Sequence, residues 1–126
     1  MTMKDDLPVM SFEDASTLRE WLAANHREST GLWVRIFNSR AHVPSVTFEE
    51  LLEQGLCFGW SESKRVRGDE ASYLQRFTPR RRPGTTSDRN RKLVERLLAE
   101  GKMTESGLEA LGMVQAADPV RASRTR

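Results

Sequence analysis

The residues best suited to chemistry in this chain are the arginines of its middle third. Arg76, Arg80, Arg81 and Arg82 are followed, across a turn-rich connector, by Arg89, Arg91 and Lys92. A guanidinium presents a planar fork of donors that matches phosphate, sulfate or carboxylate. Ser87 stands where a helix should begin, and a helix start offers unpaired backbone amides with a partial positive charge. Cations at that end oppose the helix dipole at a cost of about 0.3 to 1 kcal/mol each when exposed, and a bound oxyanion would reverse the penalty. This predicts an anion-binding corner over residues 76–91, with Ser87 and Asn90 at the helix tip, provided the cations converge in space. The competing expectation is a solvated face in which Asp88 caps the helix and Glu95 pairs with Arg91.

A second set of candidates lies on a predicted hairpin: Trp60, Glu62, Lys64, Tyr73, Arg76 and Thr78. On an ideal strand Tyr73 and Phe77 share one face while Arg76 and Thr78 share the other. Glu62 beside Arg76 would be either an oriented acid/base pair in a cleft around Trp60 or a structural cross-strand ion pair. Aromatics interleaved with arginines over residues 60–82 also suit single-stranded nucleic acid, which stacks its bases on exposed rings above a basic groove. Other chemistries lack their residues. Cys57 falls on the apolar stretch of a helix, where a thiol is inert. His26 and His42 have no metal-ligand spacing, and no P-loop, dinucleotide fingerprint or nucleophile elbow is present. No cofactor or metal is expected.

Charge is distributed unevenly along the 126 residues. The net charge is +2, but residues 1–63 carry 5 basic and 10 acidic side chains while residues 64–92 carry 10 basic and 3 acidic. An anionic partner is therefore expected at the basic third, either a small ligand, an acidic protein surface or nucleic acid. A 14.4 kDa chain buries roughly two-thirds of its unfolded surface, enough for one cored domain. A single cysteine excludes an internal disulfide. No apolar run approaches the ~18 residues that span a bilayer, and the opening MTMKDDLPVM lacks the apolar stretch of a signal peptide. A cytoplasmic protein with no membrane association is expected.

Periodicity supplies the elements that must position these groups. Ser11 and Asp14 resemble a weak capping box ahead of a helix to about Asn25, with Phe12, Ala15, Leu18, Trp21 and Leu22 on its apolar face. Leu32 to Phe37 alternates as a strand, Leu32, Val34 and Ile36 on one face and Trp33, Arg35 and Phe37 on the other. Thr47 and Glu50 cap a second helix ending at Gly59. Two strands, about 60–66 and 71–78, flank a turn at Gly68-Asp69. A helix from about Asp88 to Glu100 turns Leu93, Val94, Leu97 and Leu98 inward, and a last helix from Thr104 to about Ala117 buries Leu108, Leu111 and Val114. The expected fold is α+β: a small antiparallel β-sheet packed against about four helices, order α-β-α-β-β-α-α. Residues 11–117 form the domain, with 1–10 a disordered arm and 118–126 a disordered tail.

The chain also resembles a known family. The matching stretches are Trp21-Leu22 through Asn25-His26, Leu32-Trp33-Val34 and Ser45-Val46-Thr47-Phe48-Glu49-Glu50. More specific are Cys57-Phe58-Gly59-Trp60, Asp69, Tyr73 and Arg76-Phe77-Thr78-Pro79-Arg80, completed by Asn90 and Gly101-Lys102-Met103-Thr104. In these the chain is similar to the YdeI/OmpD-associated family, also labelled bacteriocin-protection proteins. Two positions depart from the pattern: Ser61 and Glu62 replace an apolar residue and an aspartate, and Thr86 stands where a tryptophan is usual. The resemblance implies an α+β fold and a bacterial protein of protective role, and carries over no catalytic residue. The combined expectation is a non-catalytic binding or stress-protection module for a small anionic ligand or acidic partner. The alternatives are a nucleic-acid-binding protein and an enzyme using Glu62 and Asn90 around Trp60.

Overall fold

The computed structural model describes residues 2–80 and 87–112. Its elements in chain order are β1 (Met3–Lys4), β2 (Leu7–Ser11), α1 (Ala15–Asn25), β3 (Leu32–Phe37), a short 3-10 turn (Ser39–Ala41), α2 (Phe48–Phe58), β4 (Trp60–Asp69), β5 (Ser72–Pro79), α3 (Asp88–Ala99) and α4 (Glu105–Ala110). The fold is α+β, and the strands of the described residues form a five-stranded sheet ordered β1-β2-β3-β5-β4.

Two corrections follow for the expected architecture. The order starts with two strands rather than a helix, and the sheet is mixed, because β2 runs parallel to β3 while the other neighbours are antiparallel. Residues expected as an N-terminal arm thus supply β1 and most of β2. The reason is long-range. Pro8 and a run of only five residues make a poor isolated strand, and β2 gains its ladder from Trp33, Val34 and Arg35 of β3. Asp5 and Asp6, at φ 50° and 66°, form the left-handed two-residue turn between β1 and β2. Ser11 consequently ends β2, and Asp14 alone caps α1, its carboxylate accepting from the Thr17 amide at 2.8 Å and the Thr17 hydroxyl at 2.7 Å.

The second capping box forms as expected. The Thr47 hydroxyl accepts from the Glu50 amide, and the Glu50 carboxylate accepts from the Thr47 amide at 2.9 Å. Gly59 ends α2 in the left-handed region at φ 81°. The β4–β5 turn is displaced from Gly68-Asp69 to Glu70-Ala71. Gly68 instead sits at a bulge in β4, where a Cβ would lie 2.8 Å from the Ser72 carbonyl. Asp69 organises the turn by accepting from the Ala71 amide and the Ser72 hydroxyl, bonds that hold its carboxyl below the usual range.

The helical segments contribute to one core on one face of the sheet. Leu18, Leu22, Leu51, Leu56, Val94, Leu97 and Leu111 meet Leu32, Val34, Ile36 and Phe77 there. Leu98 departs from expectation at 41% exposed, and Leu108 is only half-buried. The alternation in β3 is as expected: Trp33 faces the other way, with Leu7 and Leu74 in a small second cluster. Its indole Nε1–H donates to the Lys4 carbonyl at 3.1 Å, which draws β1 over that face. The expected end of the last helix beyond Gly112, with Val114, and the expected tail lie outside the described residues.

Candidate functional site

Strand alternation decides which candidates meet. Tyr73, Gln75 and Phe77 point toward the helices, so Leu74, Arg76 and Thr78 point to the opposite face. Arg80 continues this register, its amide donating to the Gly59 carbonyl at 2.9 Å one rung beyond the Trp60–Pro79 pair. Arg76, Thr78 and Arg80 therefore share a face at alternate positions.

The loop after α1 supplies the other wall. The Asn25 carbonyl accepts from the Glu28 and Ser29 amides, and the Ser29 hydroxyl accepts from the Gly31 amide at 3.1 Å. Gly31, at φ 133°, rests directly on Thr78: a Cβ there would lie 2.6 Å from Thr78 Cγ2 and 3.1 Å from the Phe77 carbonyl. The result is a groove of about 310 Å³ lined by Ser29, Thr30, Arg76, Thr78, Pro79 and Arg80. Two arginines, two threonines and a serine are among its lining residues, and no acidic residue among the described ones is. Arg76 is half-buried, and no acidic side chain among the described residues pairs with it. The bulge between Glu62 and Arg65 also sets Ser63 and Lys64 against Arg76 in register, with the Lys64 side chain exposed. Donors of this kind at this density suit an oxyanion.

Gly31→Ala tests the wall. The substitution demands both an unfavourable backbone region and displacement of Thr78, so it should cost about 1–3 kcal/mol in urea denaturation. An unchanged midpoint would contradict the close approach of this loop to β5.

The other candidates go elsewhere. Glu62 stands opposite Phe77, so it faces the helices while Arg76 faces away, and the sheet separates the two residues expected as either an acid/base pair or a cross-strand ion pair. Trp60 is 2% exposed and packs edge-on to Trp21 at 5.8 Å and tilted on Phe77 at 5.1 Å; it is a core residue and no ligand platform. Tyr73 is half-buried beneath the Arg65 guanidinium at 4.2 Å, and burial pushes its phenol up. The Ser87 hydroxyl accepts from the Asn90 amide at 3.1 Å, which caps α3. Arg91 pairs with Asp88 at 3.6 Å, and no ion pair forms to Glu95 among the described residues.

The expected convergence on one helix tip is not seen among the described cations. Arg76 and Arg80 line the groove, whereas Arg89 and Lys92 line a different hollow together with Glu49 and Glu53. Arg81 and Arg82 lie outside the described residues. Ser29 and Thr30 are groove residues to which the sequence alone did not point. Their one signal is the Ser-Thr-Gly triplet, which in sequence reads only as a break.

No group of three His, Cys, Asp or Glu among the described residues could hold a metal ion. His26 is engaged on both sides, with Nδ1 2.7 Å from the Leu22 carbonyl and Nε2 3.0 Å from Ser106 Oγ. The carbonyl can only accept, so Nδ1 carries the proton in the neutral ring. Cys57 is fully buried and its thiol is pushed up by that burial. No helix among the described residues is long and apolar enough to cross a membrane.

Comparison with known proteins adds one finding. Residues 10–110 match the model of a family described as a domain of unknown function, DUF8412. The chain belongs to that family. The DUF8412 stretch runs from β2 to the end of α4 and so includes every described residue of the groove. No curated protein and no solved structure matches the chain.

Proposed function

We propose that this DUF8412 chain is a non-catalytic binding module that takes a small anionic ligand in the groove between the Ser29–Gly31 loop and the end of β5. The observation that carries the reading is Arg76, a half-buried cation with no acidic partner among the described residues, set in a groove lined also by Arg80, Ser29, Thr30 and Thr78. A cation withdrawn from water without a counter-charge is costly, and a bound anion removes that cost. An acidic protein side chain presented to the same groove would be held by the same chemistry.

On the residues quoted from the sequence alone, we propose further that the chain shares the protective or binding role of YdeI/OmpD-associated proteins, with the bacterial cytoplasm as its compartment. The nucleic-acid reading keeps its arginines but only one of its three rings, the half-buried Tyr73, since Trp60 and Phe77 are 2% and 0% exposed. The enzymatic reading needs Glu62 in a cleft with Trp60, and Trp60 is core.

Thermal unfolding in phosphate or sulfate, against chloride at equal ionic strength, tests the proposal. A ligand at about a hundred times its dissociation constant adds roughly 2.7 kcal/mol, a melting shift of several degrees for a domain of this size. Arg76→Ala should abolish the shift while leaving the unliganded midpoint nearly unchanged. If neither phosphate, sulfate nor a carboxylate raises the midpoint of the parent protein, the groove is not an anion site.

A further inference from the structure

The hollow between α2 and α3 is a separate cavity with a different charge pattern. Glu49 and Glu53 lie four residues apart on α2, and Arg89, Lys92 and Arg96 lie three and four apart on α3, so each set projects from one side of its helix. Leu52 and Leu93 form an apolar floor between them. At one end the walls are joined, the Arg96 guanidinium donating to the Glu53 carboxylate at 2.7 Å. Toward the start of both helices they stand apart. There Glu49 faces the cavity from one side and Arg89 and Lys92 from the other, with no ion pair joining them among the described residues.

We propose that this hollow is a second binding site, for a small zwitterion that carries an ammonium and a carboxylate on a short apolar body. The ammonium is recognised by Glu49, the carboxylate by Arg89 and Lys92, and the body lies on Leu52 and Leu93. Opposed charge on the two walls distinguishes the site from the groove around Arg76, which has no acidic lining residue among those described. A simple anion placed here meets Glu49 as a like charge, and a simple cation meets Arg89 and Lys92. Only a molecule with both charges satisfies both walls. The hollow is open to solvent on one side and has a volume of about 330 Å³, which suits a molecule of amino-acid size.

The test is titration of the full chain with δ-aminovalerate, ε-aminocaproate and L-leucine, with hexanoate and hexylamine as single-charge controls, read by amide chemical shifts. Read from the α2 and α3 amides alone, at least one zwitterion should bind about tenfold more tightly than either control, whatever a carboxylate does at the groove around Arg76. The two ω-amino acids against leucine report whether the two charges sit apart or adjacent in the ligand. Glu49→Gln should weaken the zwitterion about tenfold and leave hexanoate no weaker. The variant keeps its fold because Glu49 is exposed and the capping box uses Glu50. Controls that shift the α2 and α3 amides with the affinity of every zwitterion, an unaffected Glu49→Gln variant, or shifts at Arg76 with none in α2 and α3 would each overturn the proposal.

Discussion

Trp60→Ala should lower the stability of the fold by about 3–5 kcal/mol, a large part of the roughly 5–15 kcal/mol available to a domain. The indole begins β4 immediately after the glycine that ends α2, and its ring contacts Trp21 of α1 and Phe77 of β5. Removing it leaves a cavity where a helix, a strand and a helix terminus meet. Trp60→Phe should recover much of the loss, since it keeps an apolar ring in the site. Urea denaturation measures both. Because Trp60 lies on the helix side of the sheet and Arg76 on the other, the folded fraction of Trp60→Ala should still respond to phosphate. A loss below about 1 kcal/mol, well short of a large-to-small core change, would show that Trp60 is not a core residue.

Gly107→Ala should also destabilise strongly, against the usual sign of such a change. In an exposed helix interior alanine is better than glycine by about 1 kcal/mol. Gly107, however, is buried in α4 against the end of α2, where a Cβ would lie 2.3 Å from the Cys57 carbonyl oxygen and 2.6 Å from that of Leu56. Both neighbours are backbone, so no rotamer change relieves the clash. The helix must lift, and lifting it disturbs the bonds from the Thr104 amide and hydroxyl to the Cys57 carbonyl. Thr104 also caps α4 by accepting from the Gly107 amide at 3.1 Å. A cost of about 1–3 kcal/mol from overpacking on top of the forfeited propensity gain is expected by urea denaturation. Gly101→Ala is the control. Gly101 is left-handed at φ 74°, and a Cβ there would meet no described atom within 4 Å, so the change should cost only the left-handed penalty of about 1–2 kcal/mol. If Gly107→Ala is neutral, α4 does not sit against α2 as described.

Much of the fold was legible in local sequence. The Thr47–Glu50 capping box, the left-handed glycine after α2 and the alternation of β3 are short-range signals, written within a few residues and matched by the structure. What local signals misplaced was whatever depends on a distant partner. β2 is unremarkable as a run of five residues and becomes a strand because β3 offers it a ladder. Leu98 fits the apolar period of α3 and is nevertheless exposed, because no described element covers that side of the helix end.

The candidate site divides along the same line. Alternation alone put Arg76 and Thr78 on one face of a strand and Phe77 on the other, since successive side chains on any strand point to opposite sides. Whether Glu62 would join them depended on pairing register, and a residue opposite Phe77 must share the face of Phe77. The docking of Gly31 on Thr78, which brings Ser29 and Thr30 to the arginines, joins residues nearly fifty positions apart. Residue types and period determined the elements, their caps and the face each strand residue takes, because these follow from backbone geometry over one or two turns. Only tertiary structure decided that the described part of the basic segment divides between two cavities, because that outcome depends on which faces the sheet and helices bury against one another.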